Sequence, residues 1–328
     1  MTPSSGTSSP GSIASRQREV VNTGPDSGRS AARELELGLL GTLLAVTMWG
    51  LSGVIIKWID MEALSVGFWR FLVYAAIMCT WLVARGTPPN WYVMRHSMWG
   101  GLSLGIDIVC FFTAVKLTNV VNATTIGSLQ PLIVAVFAAR MFGERIKLRD
   151  IGAALVAIGA VVVIVVESSG TPQWSGTGDL FAVGALFSWA AYFVFSKRSA
   201  GVITSTQYTA GTGVWTTLVA GGAAIVAGQS LAVPDTSNWL PLLALIFGTG
   251  VIGHSMMNWS LTKVPLWLGS TLTLLIPVVS SIGAWVFLDE SLTWVQLTAM
   301  AVVIGALATI VMGQRAPEPV RAPQDVTT

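Results

Sequence analysis

Three ionisable residues, Arg70, Asp107 and His254, stand inside long apolar runs of the chain. A charge at mid-bilayer costs about 2.5–3.5 kcal/mol on insertion scales, so each of them calls for a purpose. Asp107 lies near the centre of the run 97–116, too deep for its short side chain to reach an interface. Its proton affinity depends on whether burial or a neighbouring cation dominates, which makes it a candidate coupling site for protons. His254, whose unperturbed pKa is about 6.5, could relay or replace that proton. Arg70 sits close to the start of its run 64–84 and suits a gating or structural ion pair. A permanent bond from Asp107 to Arg70, or to a backbone amide, is the structural alternative.

Uncharged polar residues cluster as well. Asn122 and Thr125 are three apart and Thr124 and Ser128 four apart, so a polar helix face leads up to Gln130 and Pro131. A second cluster, Ser270, Thr271 and Thr273, precedes Pro277, and Asn258 shares a face with His254. Singly, a Ser or Thr can bond back to its own helix and be inert. Trp49 and Trp189 could wall a binding site or anchor at the interface. The candidate substrate-binding residues are therefore Trp49, Asn122, Thr125, Gln130, Trp189, Asn258, Thr271 and Thr273. Pro131 and Pro277 should kink their helices, because proline removes a backbone donor and clashes with the preceding turn. Glu144 and Glu290 fall just before the runs at 149 and 293 and read as caps of those helices. Lys57 and Lys197 should snorkel to the headgroups. The two cysteines, Cys79 and Cys110, lie in apolar runs and support neither a disulfide framework nor a metal site. No GxxxxGK[ST] loop occurs, so ATP-driven transport is not supported; no cofactor is expected.

The elements that position these residues follow from composition. Charged residues make up 10% of the 328 positions, against roughly a quarter in soluble domains. Mean hydropathy is +0.69. Soluble enzymes, disordered proteins and disulfide scaffolds are poor fits, and a net charge of +2 gives no reason to expect nucleic acid. Lipid forces a spanning segment to satisfy its own backbone, which about 20 helical residues achieve. Ten runs qualify, near 37–57, 64–84, 97–116, 121–142, 149–166, 178–196, 204–228, 239–261, 266–288 and 293–313. The fold class is an all-α integral membrane protein. Residues 1–35 and 314–328 are polar and read as disordered cytoplasmic tails, the first of them without the apolar run of a signal peptide.

With the N-terminal tail on side one, fifteen Lys and Arg fall on that side and only Lys57 and Lys116 on the other. Both termini are then cytoplasmic. A shift of 146 positions superposes 114–165 on 260–311 without a gap, placing Pro131 on Pro277, Glu144 on Glu290 and Gly159 on Gly305. A shift of 140 places Trp49 on Trp189 and Lys57 on Lys197. Two five-helix repeats, 36–168 and 177–313, follow. An odd helix count per repeat inverts the second relative to the first, as in many secondary transporters.

The runs LLAVTMWGLSGVIIKW, FWRFL and LQPLIVAVFAARMFGERIKLRDIGAALVAIGAVVVI, with IPVVSSIGAWVFLDESLTWVQLTAMAVVIGALATIV in the second half, resemble the drug/metabolite transporter superfamily, EamA type. The resemblance covers about 36–313. It implies a ten-helix secondary carrier of the bacterial inner membrane, exporting small metabolites or amino acids from a central cavity, as monomer or homodimer. Asp107 and His254 are not part of that family's general pattern. The expected function is secondary active export by alternating access with protons as candidate coupling ion. A channel or a non-transporting scaffold is the alternative, and an intramembrane enzyme lacks its constellation of catalytic groups.

Overall fold

The computed structural model describes residues 25–170, 173 and 175–314, with side chains from residue 29 onward. Ten helices among the described residues are long and apolar enough to cross a membrane: Arg29–Ile56, Ala63–Ala84, Trp91–Leu117, Val120–Phe142, Leu148–Ser169, Thr177–Ser199, Ser205–Val226, Thr236–Ser260, Leu266–Leu288 and Trp294–Gln314. They are called here the first to tenth spans. No strand occurs among the described residues, which leaves backbone hydrogen bonding to the helices, as lipid requires.

The first helix begins at Pro25, so residues 25–35, expected as tail, form its opening turns. The remainder of the expected N-terminal tail, and residues 315–328, lie outside the described residues. The fourth and ninth spans are each interrupted. In the fourth, Val120–Gly127 is separated from Gln130–Phe142. In the ninth, the tighter turns of Leu272–Leu275 precede Ile276–Leu288. Pro131 and Pro277 occupy the first turn of the segment after the interruption, where the missing N–H costs nothing. Each proline thus starts a segment, a sharper change than the kink expected within a continuous helix. Both segments end on a left-handed residue, Gly143 at φ 65° and Asp289 at φ 56°. Glycine reaches that conformation freely and aspartate at some cost.

Packing joins the two halves of the chain throughout. The second span lies against the seventh, the fifth against the tenth, the third against the sixth, and the first against the eighth. The third and seventh spans come very close: a Cβ on Gly101 would fall 2.5 Å from the Cβ of Trp215. Thr216 and Trp215 fix that contact by donating to the Gly101 and Met94 carbonyls at 3.0 and 2.9 Å.

Candidate functional site

The eighth span widens into a π-helical stretch over Ile246–His254, the kind of local distortion that helices retain where a side chain must be re-aimed. His254 ends it, buried, with Trp49, Phe71, Tyr74 and Tyr192 around its ring. Trp49 donates its indole N–H to the Thr249 carbonyl at 3.2 Å. It lies over Gly253, where a Cβ would meet Nε1 at 2.7 Å, so only glycine admits the indole there.

A hydrogen-bond chain runs from this ring into the protein. Tyr192 Oη donates to Asn258 Oδ1 at 2.9 Å and lies 3.1 Å from His254 Nδ1. Its one proton is used on Asn258, so toward His254 it accepts, and Nδ1 carries the imidazole proton. Nε2 is then a bare acceptor, and Arg70 Nη2 donates to it at 3.4 Å. Ser196 donates to Asn258 Oδ1 at 2.8 Å, and Asn258 Nδ2 donates to Thr209 Oγ1 at 3.0 Å. Arg70 is thereby held by a scaffold of three other spans, the sixth, seventh and eighth, and its guanidinium also lies 4.9 Å over the Phe71 ring. Arg70 Nε is buried without a partner. Asp107 is half-buried and makes no hydrogen bond or ion pair among the described residues. The lasting bond from Asp107 to Arg70 is absent.

The other residues singled out from the sequence fall into three groups. Trp49 and Trp189 meet at 5.1 Å, and Trp189 stacks on Tyr192, so these join the central cluster with Asn258. Thr125 Oγ1 and both amide atoms of Gln130 are buried without partners, Gln130 being 1% exposed. The remaining ones are committed elsewhere. Thr271 and Thr273 are buried and donate to the Trp267 and Ser270 carbonyls, so the second polar cluster is turned onto its own helix. Asn122 donates to Gln173 O at 2.6 Å and to Asp179 Oδ1 at 2.7 Å, inside a clasp that also engages Thr118 and Ser175 N–H. Tyr192, Ser196 and Thr209 did not stand out in sequence, although Tyr192 and Ser196 follow Trp189 along one helix face.

The acidic and basic pairs also depart from expectation. Glu144 caps no helix at 149; its carboxylate accepts from the Leu266 and Trp267 amides at 2.6 and 3.1 Å, at the start of the ninth span. Beside it Lys197 donates to the Leu261 and Val264 carbonyls at 2.7 and 2.8 Å, a protein contact and not a headgroup one. Orphan amides at a helix start and orphan carbonyls at a helix end are what a carboxylate and an ammonium satisfy best. At the opposite end Glu290 reaches no amide of the fourth span. It pairs at 2.5 Å with Lys57, both side chains being about half exposed. The fourth and ninth spans pack together at the Glu144 end and make no comparable approach at the Glu290 end.

A ten-span helical membrane protein whose deep charges are held apart, and whose two ends are closed unequally, is built as a transporter. The chain belongs to the EamA-like transporter family, whose model matches residues 36–166 and 176–312. It is 28% identical, over 83% of its length and 94% of the relative's, to a Salmonella typhimurium protein named "Probable amino-acid metabolite efflux pump". An Escherichia coli protein of the same name is 26% identical over the same shares. The aromatic amino acid exporter of Ancylobacter novellus is 30% identical over 52% of this chain and 58% of that one. A solved structure aligns at TM-score 0.74 over 87% of this chain and 99% of its own, at 22% identity, and shares the fold.

Proposed function

We propose that the protein is a secondary active exporter of amino acids or closely related metabolites, working by alternating access between two inverted five-helix repeats. The names of its relatives support the substrate class. The unequal closure of the two ends supports the mechanism. Glu144 and Lys197 occupy positions equivalent, under the shifts of 146 and 140, to Glu290 and Lys57. Glu144 ties the start of the ninth span, in the opposite half, and Lys197 the end of the eighth, in its own half, whereas Lys57 and Glu290 tie only each other. In this reading the repeats exchange roles: when Glu290 closes on the start of the fourth span, Glu144 releases the ninth.

With both termini cytoplasmic in a bacterial inner membrane, the Glu144 end faces the cytoplasm and this conformation is the outward-open one. Asp107 is the candidate group for proton coupling, because its carboxyl has no fixed partner to hold it in one state. The test is transport by the purified protein in vesicles. Saturable phenylalanine flux, accelerated by unlabelled phenylalanine on the far side, is expected of a carrier. Linear flux without that acceleration would mean a channel. Asp107→Asn should abolish accumulation driven by a pH gradient while exchange at saturating phenylalanine remains measurable.

A further inference from the structure

Arg70 and Asp107 stand on spans that meet one turn away, where a Cβ on Gly67 would lie 3.3 Å from Ile108, yet they make no ion pair. Opposite charges removed from water normally close on one another, because an unpaired charge in low dielectric is costly. Here each is held back. Arg70 is drawn toward His254 Nε2 and the Phe71 ring, and the imidazole that receives it is fixed by Tyr192 and, through it, by Asn258. Asp107 rides on the third span, which the close approach at Gly101 and Gly105 locks against the seventh. The aromatic pair Trp49 and Trp189 adjoins the imidazole, with Trp49 and His254 ring centroids 5.2 Å apart.

We propose that the interval between Arg70 and Asp107 takes the two charged ends of a zwitterion, the carboxylate on Arg70 and the ammonium on Asp107, with an apolar side chain against Trp49 and Trp189. This rests on the reading of the protein as an amino-acid exporter and names the residues that recognise the substrate. Guanidinium is suited to the part because its planar fork matches a carboxylate in two parallel hydrogen bonds. The arrangement also selects. A ligand lacking either charge leaves one protein charge desolvated and unpaired, and sites built around a polar partner reject such analogues strongly. His254, Tyr192 and Asn258 are positioning residues in this scheme.

The measurement is quenching of tryptophan fluorescence in the purified full-length protein by three probes: phenylalanine, phenylpyruvate, which lacks the ammonium, and phenethylamine, which lacks the carboxylate. Wild type should bind phenylalanine at least about tenfold more tightly than either analogue. Arg70→Gln should erase the difference between phenylalanine and phenethylamine while preserving phenethylamine binding, which also shows the variant to be folded. Asp107→Asn should erase the difference between phenylalanine and phenylpyruvate. Arg70→Lys should restore part of the preference for the carboxylate. Equal losses for all three probes in the Asp107→Asn and Arg70→Lys variants would overturn the assignment and leave the exporter reading standing. Wild type that binds none of the three, and moves no other amino acid in exchange, would remove both.

Discussion

Arg70 and His254 are joined at 3.4 Å in a fixed sense: the guanidinium donates to Nε2, because Nδ1 has surrendered its proton's direction to Tyr192. The imidazole is therefore an uncharged bracket that sets where the cation points. His254→Ala should leave the fold intact, since the ring's neighbours are aromatic and can close on a small gap. It should weaken phenylalanine binding about tenfold or more, in line with loss of a hydrogen bond to a charged group worth about 1.5–3 kcal/mol. A thermal melt within a few degrees of wild type, together with the weakened quenching curve, checks it.

Closure at the Glu144 end makes a second expectation. Thr271 is fully buried behind the capped start of the ninth span, whereas Thr125 keeps accessible surface. In a background with Cys79 and Cys110 replaced by Ala, a cysteine at position 125 should react with a water-soluble thiol reagent and one at 271 should not. Adding Glu144→Gln weakens the cap and should raise the reaction rate at 271. Equal rates at 271 with and without that change would mean that Glu144 does not hold the end shut.

Gln130 offers a contrast between stability and activity. Both atoms of its amide are buried with no partner, a cost of about 1–3 kcal/mol for the conformation seen here. Gln130→Leu should therefore raise the melting temperature and lower the transport rate, if that amide finds its partner in substrate or in the opposite conformation. Loss of stability on this substitution would contradict the assignment.

Asp289 holds φ 56° where its counterpart is Gly143. Asp289→Gly should stabilise the protein by about 1 kcal/mol, and Asp289→Val should cost more than that, because β-branching makes the left-handed region worse. Paired melts of the two variants decide it.

Orientation has its own check. Reporter fusions after residues 170 and 315 should give opposite signals, periplasmic for the first and cytoplasmic for the second. Matching signals would remove the inverted topology.

Most of the architecture was legible because lipid leaves a chain so few options: long uncharged runs had to be helices, and all ten appear. The prolines and the glutamates were visible as matched positions, but their roles were not. Glu144 acts on residues 266 and 267, and nothing local in the sequence points across that distance. The nearby helix start at 148 was the only target that spacing could suggest. Asn122 read as part of a substrate face because its register is right; the loop carrying Gln173 and Ser175 occupies it instead. Conversely, the Tyr192–Asn258–Thr209 chain was hidden because tyrosine, asparagine and threonine are each ordinary alone and meet only when the sixth, seventh and eighth spans pack.

The cap that Glu144 places on the ninth span is made by one duplicated unit upon the other. A ribosome has completed the first five spans well before the amides of Leu266 and Trp267 exist, so the newly made first unit carries a fastening with nothing to fasten. In the inverted arrangement proposed above, that unit expressed by itself would engage its own cap on the fourth span of another copy lying upside down beside it. Fusion of the two units in one chain would then fix that opposed orientation permanently and spare the cell from inserting one sequence both ways.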